Sequence, residues 1–394
     1  MIGGAPRFRG LMYYPDNKTP VTIYVTNQKR GYQMRVLLIT GVESAIQGWG
    51  KMVTTKKIMD SLQKRGHQCR ILHARSNNEV IEHVASSQYD LAWSSVYYFN
   101  MNPKRVQNLY QIKSVTEVLE EVRVPFVGSP CKSNKIMIDK YRTIQMLKRN
   151  GIPTHEQYLL YALEDLEGIG FEGSFDPYIV KPNFESDSKG ILEKNVFTQL
   201  SMAQARVKWM FRRKYSPILI EEYLPGDEYT VSVIGNGGNA KIYPVQNCVK
   251  EGAYKNYPVI SSKTNKKGGI SYTIPENMEA DLAELARSVV AILGCRDYAR
   301  LDIRASKCGE LRVLGVNGVP DLDPAGSKSL IIHGLHNQQI IKPQHLFDLL
   351  VNDIVDAAVD RVYAHDSVGA ADDSVYAYGA ANAAEDSIYA YDAV

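Results

Sequence analysis

Between Met34 and Val127, short apolar runs alternate with segments of helical spacing, and this alternation constrains the fold more than any other feature. Arg35-Val-Leu-Leu-Ile-Thr40, Cys69-Arg-Ile-Leu72 and Asp90-Leu-Ala-Trp-Ser94 read as strands, and Trp49 to Lys64 and Ser114 to Val122 as helices. Strands separated by helices pair in parallel, because a parallel neighbour needs a crossover. The pattern predicts an α/β fold with a parallel sheet covered on both faces. At 394 residues the chain exceeds one simple core, which predicts two or three domains.

Downstream the pattern changes. Ser133 to Asn150 reads as one helix containing Lys140, stopped by Gly151-Ile-Pro153. Strands are expected near 155–160, 177–181, 217–222 and 228–235, the last two joined by the turn Leu224-Pro-Gly-Asp-Glu228. Glu276 to Leu293 reads as a helix closed by Gly294. Tyr298 to Arg304 and Glu310 to Val316 read as a strand pair. Residues 1–34 hold strand-like Val21-Thr-Ile-Tyr-Val25 with no clear partner.

An apolar fraction of 44% and a charged fraction of 23% are those of a water-soluble protein. No run of about 18 apolar residues suggests a membrane span. The five cysteines are scattered, which argues against a disulfide framework and a zinc site and for a reducing, cytoplasmic setting.

The chemistry concentrates at strand ends. Tyr178-Ile-Val-Lys181 closes an apolar run with a cation, Pro182 is expected to stop ladder pairing, and a hydroxyl-rich loop runs to Gly190. Such a loop suits a polyphosphate, although its spacing is neither that of the P-loop nor that of the dinucleotide fingerprint. Taken alone, it reads equally well as an ordinary strand and turn. Arg300 and Asp302 lie two apart on a strand and share a face, and Val316-Asn317 ends the next strand. Lysines, carboxylates and an amide so placed suit a nucleotide with Mg²⁺.

The order of these motifs resembles the ATP-grasp ligases of the D-alanine–D-alanine ligase branch. The matching stretches are Pro125-Phe-Val-Gly-Ser129, Met137-Ile-Asp-Lys140, Val180-Lys-Pro182 through Gly190-Ile191, Ile220 through Glu228, Cys295 through Asp302, and Val316-Asn317 with Pro320. The resemblance spans residues 35–345. It implies an N-terminal parallel α/β domain (35–130) after an extension (1–34). Two α+β subdomains (131–216 and 217–350) then clamp ATP, and a disordered acidic repeat tail (353–394) follows.

The resemblance also implies roles. Lys140 and Lys181 would contact the ATP phosphates, and Glu185 to Gly190 would form a mobile loop over them with Ser188 as a donor. Glu221 and the backbone at Leu224 would read adenine, and Glu228 the ribose. Arg300 would stabilise the tetrahedral intermediate, Lys263 would reach the γ-phosphate, and Asp302 and Asn317 would hold Mg²⁺. Glu43 and Ser327 would bind substrate. The implied reaction converts a carboxylate to an acyl phosphate, which an amine then captures, inside a loop that excludes water. The implied partners are an amino acid or peptide and a second copy in a homodimer. Neither a nucleic acid nor a membrane is expected.

Three departures bear on this. Gly315 stands where the family has a glutamate bridging two Mg²⁺ ions, which leaves Asp321 and Asp323 as substitutes or the enzyme impaired. Thr264 stands where an aromatic residue usually follows Lys263. Asp187 adds a negative charge to the phosphate loop, beside Lys189.

The C-terminus carries a repeat with a period of 13: Asp360-Arg-Val-Tyr-Ala-His365, Asp373-Ser-Val-Tyr-Ala-Tyr378 and Asp386-Ser-Ile-Tyr-Ala-Tyr391. An odd period turns successive copies to opposite faces of a strand, and 13 residues make about 3.6 helical turns. No continuous apolar stripe results, and little independent structure is expected. From Asp353 onward, eight Asp and one Glu against one Arg give −8. With +3 overall, the body carries +11. The tail reads either as a peptide substrate held in cis or trans by its own modifying enzyme, or as a solvating, partner-binding segment. It has no lysine, so internal links would be esters to Ser374, Ser387 or a tyrosine. A conventional dipeptide ligase and a nucleotide-binding pseudoenzyme are the rival readings.

Overall fold

A computed structural model of the chain describes residues 12–14, 17–21, 33–41, 49, 51–99, 108–167, 177–184, 195–250, 257–260, 269–337 and 341–364. Strands β1 (Met12–Tyr14) and β2 (Asn17–Val21) pair antiparallel. Of the strand-like stretch Val21–Val25, Val21 is the last residue of β2, and residues 22–25 lie outside the described residues.

The regular alternation begins with β3 (Arg35–Gly41), α1 (Met52–Lys64), β4 (Gln68–Ala74), α2 (Asn77–Ala85), β5 (Leu91–Ser94) and α3 (Val115–Glu121). The strands form a parallel sheet in the order β4-β3-β5. Alternation along β3 feeds two cores. Val36 and Leu38 pack with Ile58 and Leu62 of α1, while Leu37 and Ile39 pack with Val80 of α2 and Val115 and Val118 of α3. A parallel strand buried on both faces explains the unbroken apolar run Val36–Ile39. Helix α1 starts three residues later than expected. Trp49 instead packs edge-on against Trp93 and donates its indole N–H to Thr55 Oγ1 at 3.0 Å.

The single helix expected over 133–150 is two, α4 (Cys131–Ile138) and α5 (Lys140–Arg149). Asp139 breaks it with an extended backbone (φ −83°, ψ 94°) and caps α5 by accepting from Arg142 N–H at 3.1 Å. An aspartate competes with the helix in this way by bonding the next turn's amides.

An antiparallel sheet follows, made of β6 (Gln157–Leu160), β7 (Tyr178–Pro182) and β8 (Val196–Phe197), then helix α6 (Leu200–Arg212) and strand β9 (Ile218–Glu222). Its order is β6-β9-β7-β8. Pro182 does not stop the ladder but stands opposite Ile218 as its last pair. A proline is tolerated there because a strand's final residue can do without its N–H. Tyr178, Val180, Ile218 and Ile220 face α6 and form a core with its Ala203, Val207 and Met210.

The largest sheet comprises β10 (Glu228–Ile234), β11 (Lys241–Val249) and β12 (Ile270–Thr273), then, after helix α7 (Glu279–Ile292), β13 (Tyr298–Ala305) and β14 (Leu311–Asn317). The order is β12-β11-β10-β13-β14, antiparallel throughout. One face (Tyr229, Val231, Val233, Leu301, Ile303) buries against Leu282, Ala286 and Val289 of α7 and Leu147 of α5. The opposite face is polar and carries the site.

Two helices close the described chain, α8 (Lys328–Asn337) and α9 (Leu346–Ala364). Helix α9 runs through the start of the tail expected from residue 353. Leu350, Val351, Ile354, Val355 and Ala358 are buried against Val36, Ile58 and Leu62. That spacing is an amphipathic stripe. Its acidic residues pair with the body: Asp353 with Lys241 at 3.0 Å and Asp356 with Arg65 at 2.8 Å. The first repeat copy is helical through Ala364, and copies two and three lie outside the described residues.

Candidate active site

The turn after β9 places the first residues. Gly226 N–H donates to the Ala305 carbonyl at 3.0 Å, and a Cβ at Gly226 would stand 2.6 Å from that oxygen. Only glycine lets the turn close onto β13. This closure starts β10 at Glu228, opposite Arg304.

On the face of the four-stranded sheet turned away from α6, Lys181 Nζ lies 2.6 Å from Glu221 Oε2, and His155 Nε2 lies 3.2 Å from Glu221 Oε1. All three side chains are buried. Burial pushes the Glu221 carboxyl up, but the adjacent Lys181 and His155 outweigh it and hold the group at about 2. The Glu221 side chain is thus engaged with Lys181 and His155. Lys140, first in α5, donates to the Asn183 carbonyl at 2.7 Å, just past the end of β7. Asn183 in turn donates to Asp139 at 2.9 Å and accepts from Tyr141 N–H at 2.9 Å. The break at Asp139 is therefore what brings Lys140 to the strand that bears Lys181.

The polar face of the large sheet follows from register. Glu228, Thr230 and Ser232 stand opposite Arg304, Asp302 and Arg300, and Arg300 and Asp302 stand opposite Asn317 and Gly315. Asp302 accepts from Thr230 Oγ1 and from Asn317 Nδ2, each at 3.3 Å, and Asn247 Nδ2 donates to Thr230 Oγ1 at 2.8 Å. A register shift between Asp302 and Ile303 sits beside this cluster, as bulges near sites do. Arg300 Nε is buried without a hydrogen-bond partner, and so is the Tyr272 hydroxyl. Buried donors without a partner call for an explanation, and a bound ligand would supply one.

Glu228 lies 3.4 Å from Arg304 Nη1. Burial pushes its carboxyl up, assisted by Asp302 and only partly opposed by Arg304, Lys328 and Lys181. Lys181 of the four-stranded sheet thus acts on Glu228 of the large sheet. Leu224 is buried in the connecting turn.

The other expected residues divide. Ser327 is buried, and its Oγ accepts from Leu330 N–H at 3.2 Å, so its hydroxyl caps α8. Glu43, Glu185, Ser188, Gly190 and Lys263, with Asp187, Lys189 and Thr264, lie outside the described residues. Sequence reasoning missed His155, Thr230, Asn247, Tyr272 and Lys328. Only Thr230 carried a signal, an alternate position on a strand that starts at a site glutamate.

Asp302 and Asn317, 3.3 Å apart, offer two oxygen donors to one Mg²⁺, whose remaining ligands would be phosphate oxygens and water. Among the described residues no group of three or more His, Cys, Asp or Glu could hold a metal. The space a Cβ at Gly315 would enter has no atom within 4 Å. Asp323 is tied to Lys51 at 2.6 Å and to Ala325 N–H at 2.9 Å. Asp321 accepts from Asp323 N–H at 3.0 Å, and burial raises its carboxyl against the pull of Arg300 and Lys51.

Residues 146–343 match the family model described as D-ala D-ala ligase C-terminus. The D-alanine–D-alanine ligase of Haemophilus influenzae is 24% identical over 292 residues, which is 73% of this chain and 92% of that protein. An uncharacterized protein of Sinorhizobium fredii, y4sG, is 25% identical over 326 residues, 81% of this chain and 91% of its own. The crystal structure of D-alanine–D-alanine ligase from Bacillus anthracis complexed with ATP aligns with a TM-score of 0.60 at 18% identity. The match covers 83% of this chain and 99% of that one. The VanG D-Ala:D-Ser ligase of Enterococcus faecalis aligns at 0.59 with 14% identity, covering 83% and 100%. The likeness in structure is one of fold: an ATP-grasp architecture over most of the chain.

Proposed function

The chain belongs to the D-Ala D-Ala ligase family, and on that footing we propose that it is an ATP- and Mg²⁺-dependent ligase for a peptide or amino acid, with its own C-terminal repeats among its substrates. The overall reaction is that of a carboxylate–amine ligase. A carboxylate oxygen attacks the γ-phosphorus, the bond to the β–γ bridging oxygen breaks, and ADP leaves. An amine nitrogen or hydroxyl oxygen then attacks the acyl carbon, phosphate departs and one proton is released.

The observation that carries this reading is the polar chain Asn247–Thr230–Asp302–Asn317 on the large sheet, beside Arg300, whose Nε–H has no partner. Lys140 and Lys181 would neutralise phosphate oxygens. Asp302 and Asn317 would hold the Mg²⁺, which when bound lowers the cost of charge at the transferring phosphoryl group. The unpartnered Nε–H of Arg300 would meet the oxyanion of the tetrahedral adduct, where a fixed donor acts most strongly.

Support for the repeats as substrate comes from their composition. Residues 365–394 offer carboxylates, serine and tyrosine hydroxyls and no lysine, on the same chain as the site. A tether raises the local concentration to about millimolar. The test is intact mass after incubation with ATP and Mg²⁺. Loss of one water per link marks internal esters, and a gain marks an added amine. An unchanged mass with steady dipeptide formation from free amino acids returns the protein to conventional dipeptide synthesis. If no ADP forms under any condition, the ligase reading itself fails.

A further inference from the structure

Helix α6 has a second side that the site does not use. Ala203, Val207 and Met210 face the sheet. Met202, Arg206, Trp209 and Arg213 recur at helical spacing along the outer side. Met202 is 52% exposed and Trp209 38%. The guanidinium groups of Arg206 and Arg213 stand 3.9 and 4.3 Å from the Trp209 ring centroid. Lys208, Arg212 and Lys214 are exposed beside them, and residues 200–214 contain no carboxylate. Among the described residues, none of these five cations makes an ion pair. Arg206 Nε is buried without a hydrogen-bond partner.

Cations near a helix C-terminus also complement the helix dipole. That accounts for Arg212, Arg213 and Lys214. It does not account for Arg206 in mid-helix, or for a large aromatic ring and a methionine left in water between cations.

We propose that this stripe docks residues 365–394 of the same polypeptide. That segment contains five Asp, one Glu, the terminal carboxylate, four Tyr and no Lys or Arg. Asp373 and Asp386 each precede a tyrosine by three residues (Tyr376 and Tyr389). Each copy thus offers a carboxylate for a guanidinium and a ring for the Met202–Trp209 surface. A nucleic acid would also suit basic and aromatic side chains, but the chain already carries an acidic, tyrosine-rich partner at high effective concentration. Lys181 and Glu221 project from the other face of the same sheet, so a segment held on α6 leaves the nucleotide side open. The proposal deepens the reading of the repeats as substrate, yet it concerns binding without ATP and stands or falls separately.

Trp209 reports on it directly. The chain has three tryptophans, and Trp49 and Trp93 are buried. Acrylamide quenching of the full chain therefore senses Trp209, and a Trp209→Phe variant assigns the signal. The comparison chain keeps full length but carries Asp366→Asn, Asp372→Asn, Asp373→Asn, Glu385→Gln, Asp386→Asn and Asp392→Asn. Docking predicts a blue-shifted, quench-resistant Trp209 in the native chain at low salt. That protection is lost in the neutralised chain, in Arg206→Glu/Arg213→Glu, and at about 1 M salt, where the screening length falls to about 3 Å. Protection that survives dilution means docking within one molecule and supports the proposal; protection that fades on dilution means docking between molecules and overturns it. Equal quenching of native and neutralised chains overturns it. So does protection that appears only when RNA or anionic vesicles are added.

Discussion

At the residue scale the sharpest expectation concerns Glu221. It is held between Lys181 and His155 in a buried cluster. Glu221→Gln leaves the Lys181 ammonium buried beside a neutral amide, and removing one partner of such a pair typically costs about 3–5 kcal/mol. Urea denaturation of the variant should show a lower midpoint with an unchanged slope. Glu228 is the opposite case. Burial raises its carboxyl, so the ionised form costs stability at neutral pH. Glu228→Gln should raise the urea midpoint of the ligand-free protein near pH 7 and weaken ATP binding by calorimetry. Gly315→Glu tests the metal site. The open space at Gly315 should admit the side chain, and one more carboxylate beside Asp302 should tighten Mg²⁺ binding in the presence of ATP. A tenfold gain would correspond to about 1.4 kcal/mol, read by Mg²⁺ titration.

At the scale of elements, α9 separates two truncations. A chain ending at 364 keeps every described helix and strand and should retain its cooperative thermal melt. A chain ending at 352 loses Ile354, Val355 and Ala358 from the core over α1 and β3 and should melt without a cooperative transition. Circular dichroism distinguishes the two. The same helix shows where sequence reading stopped short. The 13-residue repeat and the acids from Asp353 onward overlie the apolar stripe Leu350, Val351, Ile354, Val355, Ala358. The β3–α1–β4 alternation was legible because one strand feeds two cores and so cannot alternate with polar residues. The shared face of Arg300 and Asp302 was legible because strand period is fixed. The break at Asp139 was not, since the capping carboxylate is also held by a hydrogen bond from Asn183, 44 residues away. The Asn247–Thr230–Asp302 chain was likewise hidden, because its members meet only through register.

For the whole molecule, acid should act in two windows. Burial holds the His333 imidazole down to about 4, well under its usual value near 6.5. The unfolded chain then binds the proton first, so this stability is full above about pH 6.5 and lost as pH falls toward 4. Glu221, at about 2 when folded, contributes stability present above its unfolded value and lost as pH falls from there toward 2. Urea midpoints across pH 7 to 3 should fall in the upper window for the native protein, and a Glu221→Gln chain should keep that fall while losing the lower one.

The Asp297 carboxylate has a mechanical consequence. It accepts from Gly128 N–H at 2.7 Å, from Asn236 at 3.0 Å and from Arg361 at 2.9 and 2.7 Å, while Arg361 also donates to the Phe126 carbonyl at 2.7 Å. One ion thus rivets the parallel sheet, the large sheet and the last helix together out of reach of water. Where the four-stranded unit meets β14, the ties include one backbone bridge, Thr154 to Val313, and the half-buried pair Arg312–Glu222. A jaw-like gape at that boundary would strain the Thr154–Val313 bridge and the Arg312–Glu222 pair, while the buried Asp297 would hold the remainder as a fixed anvil.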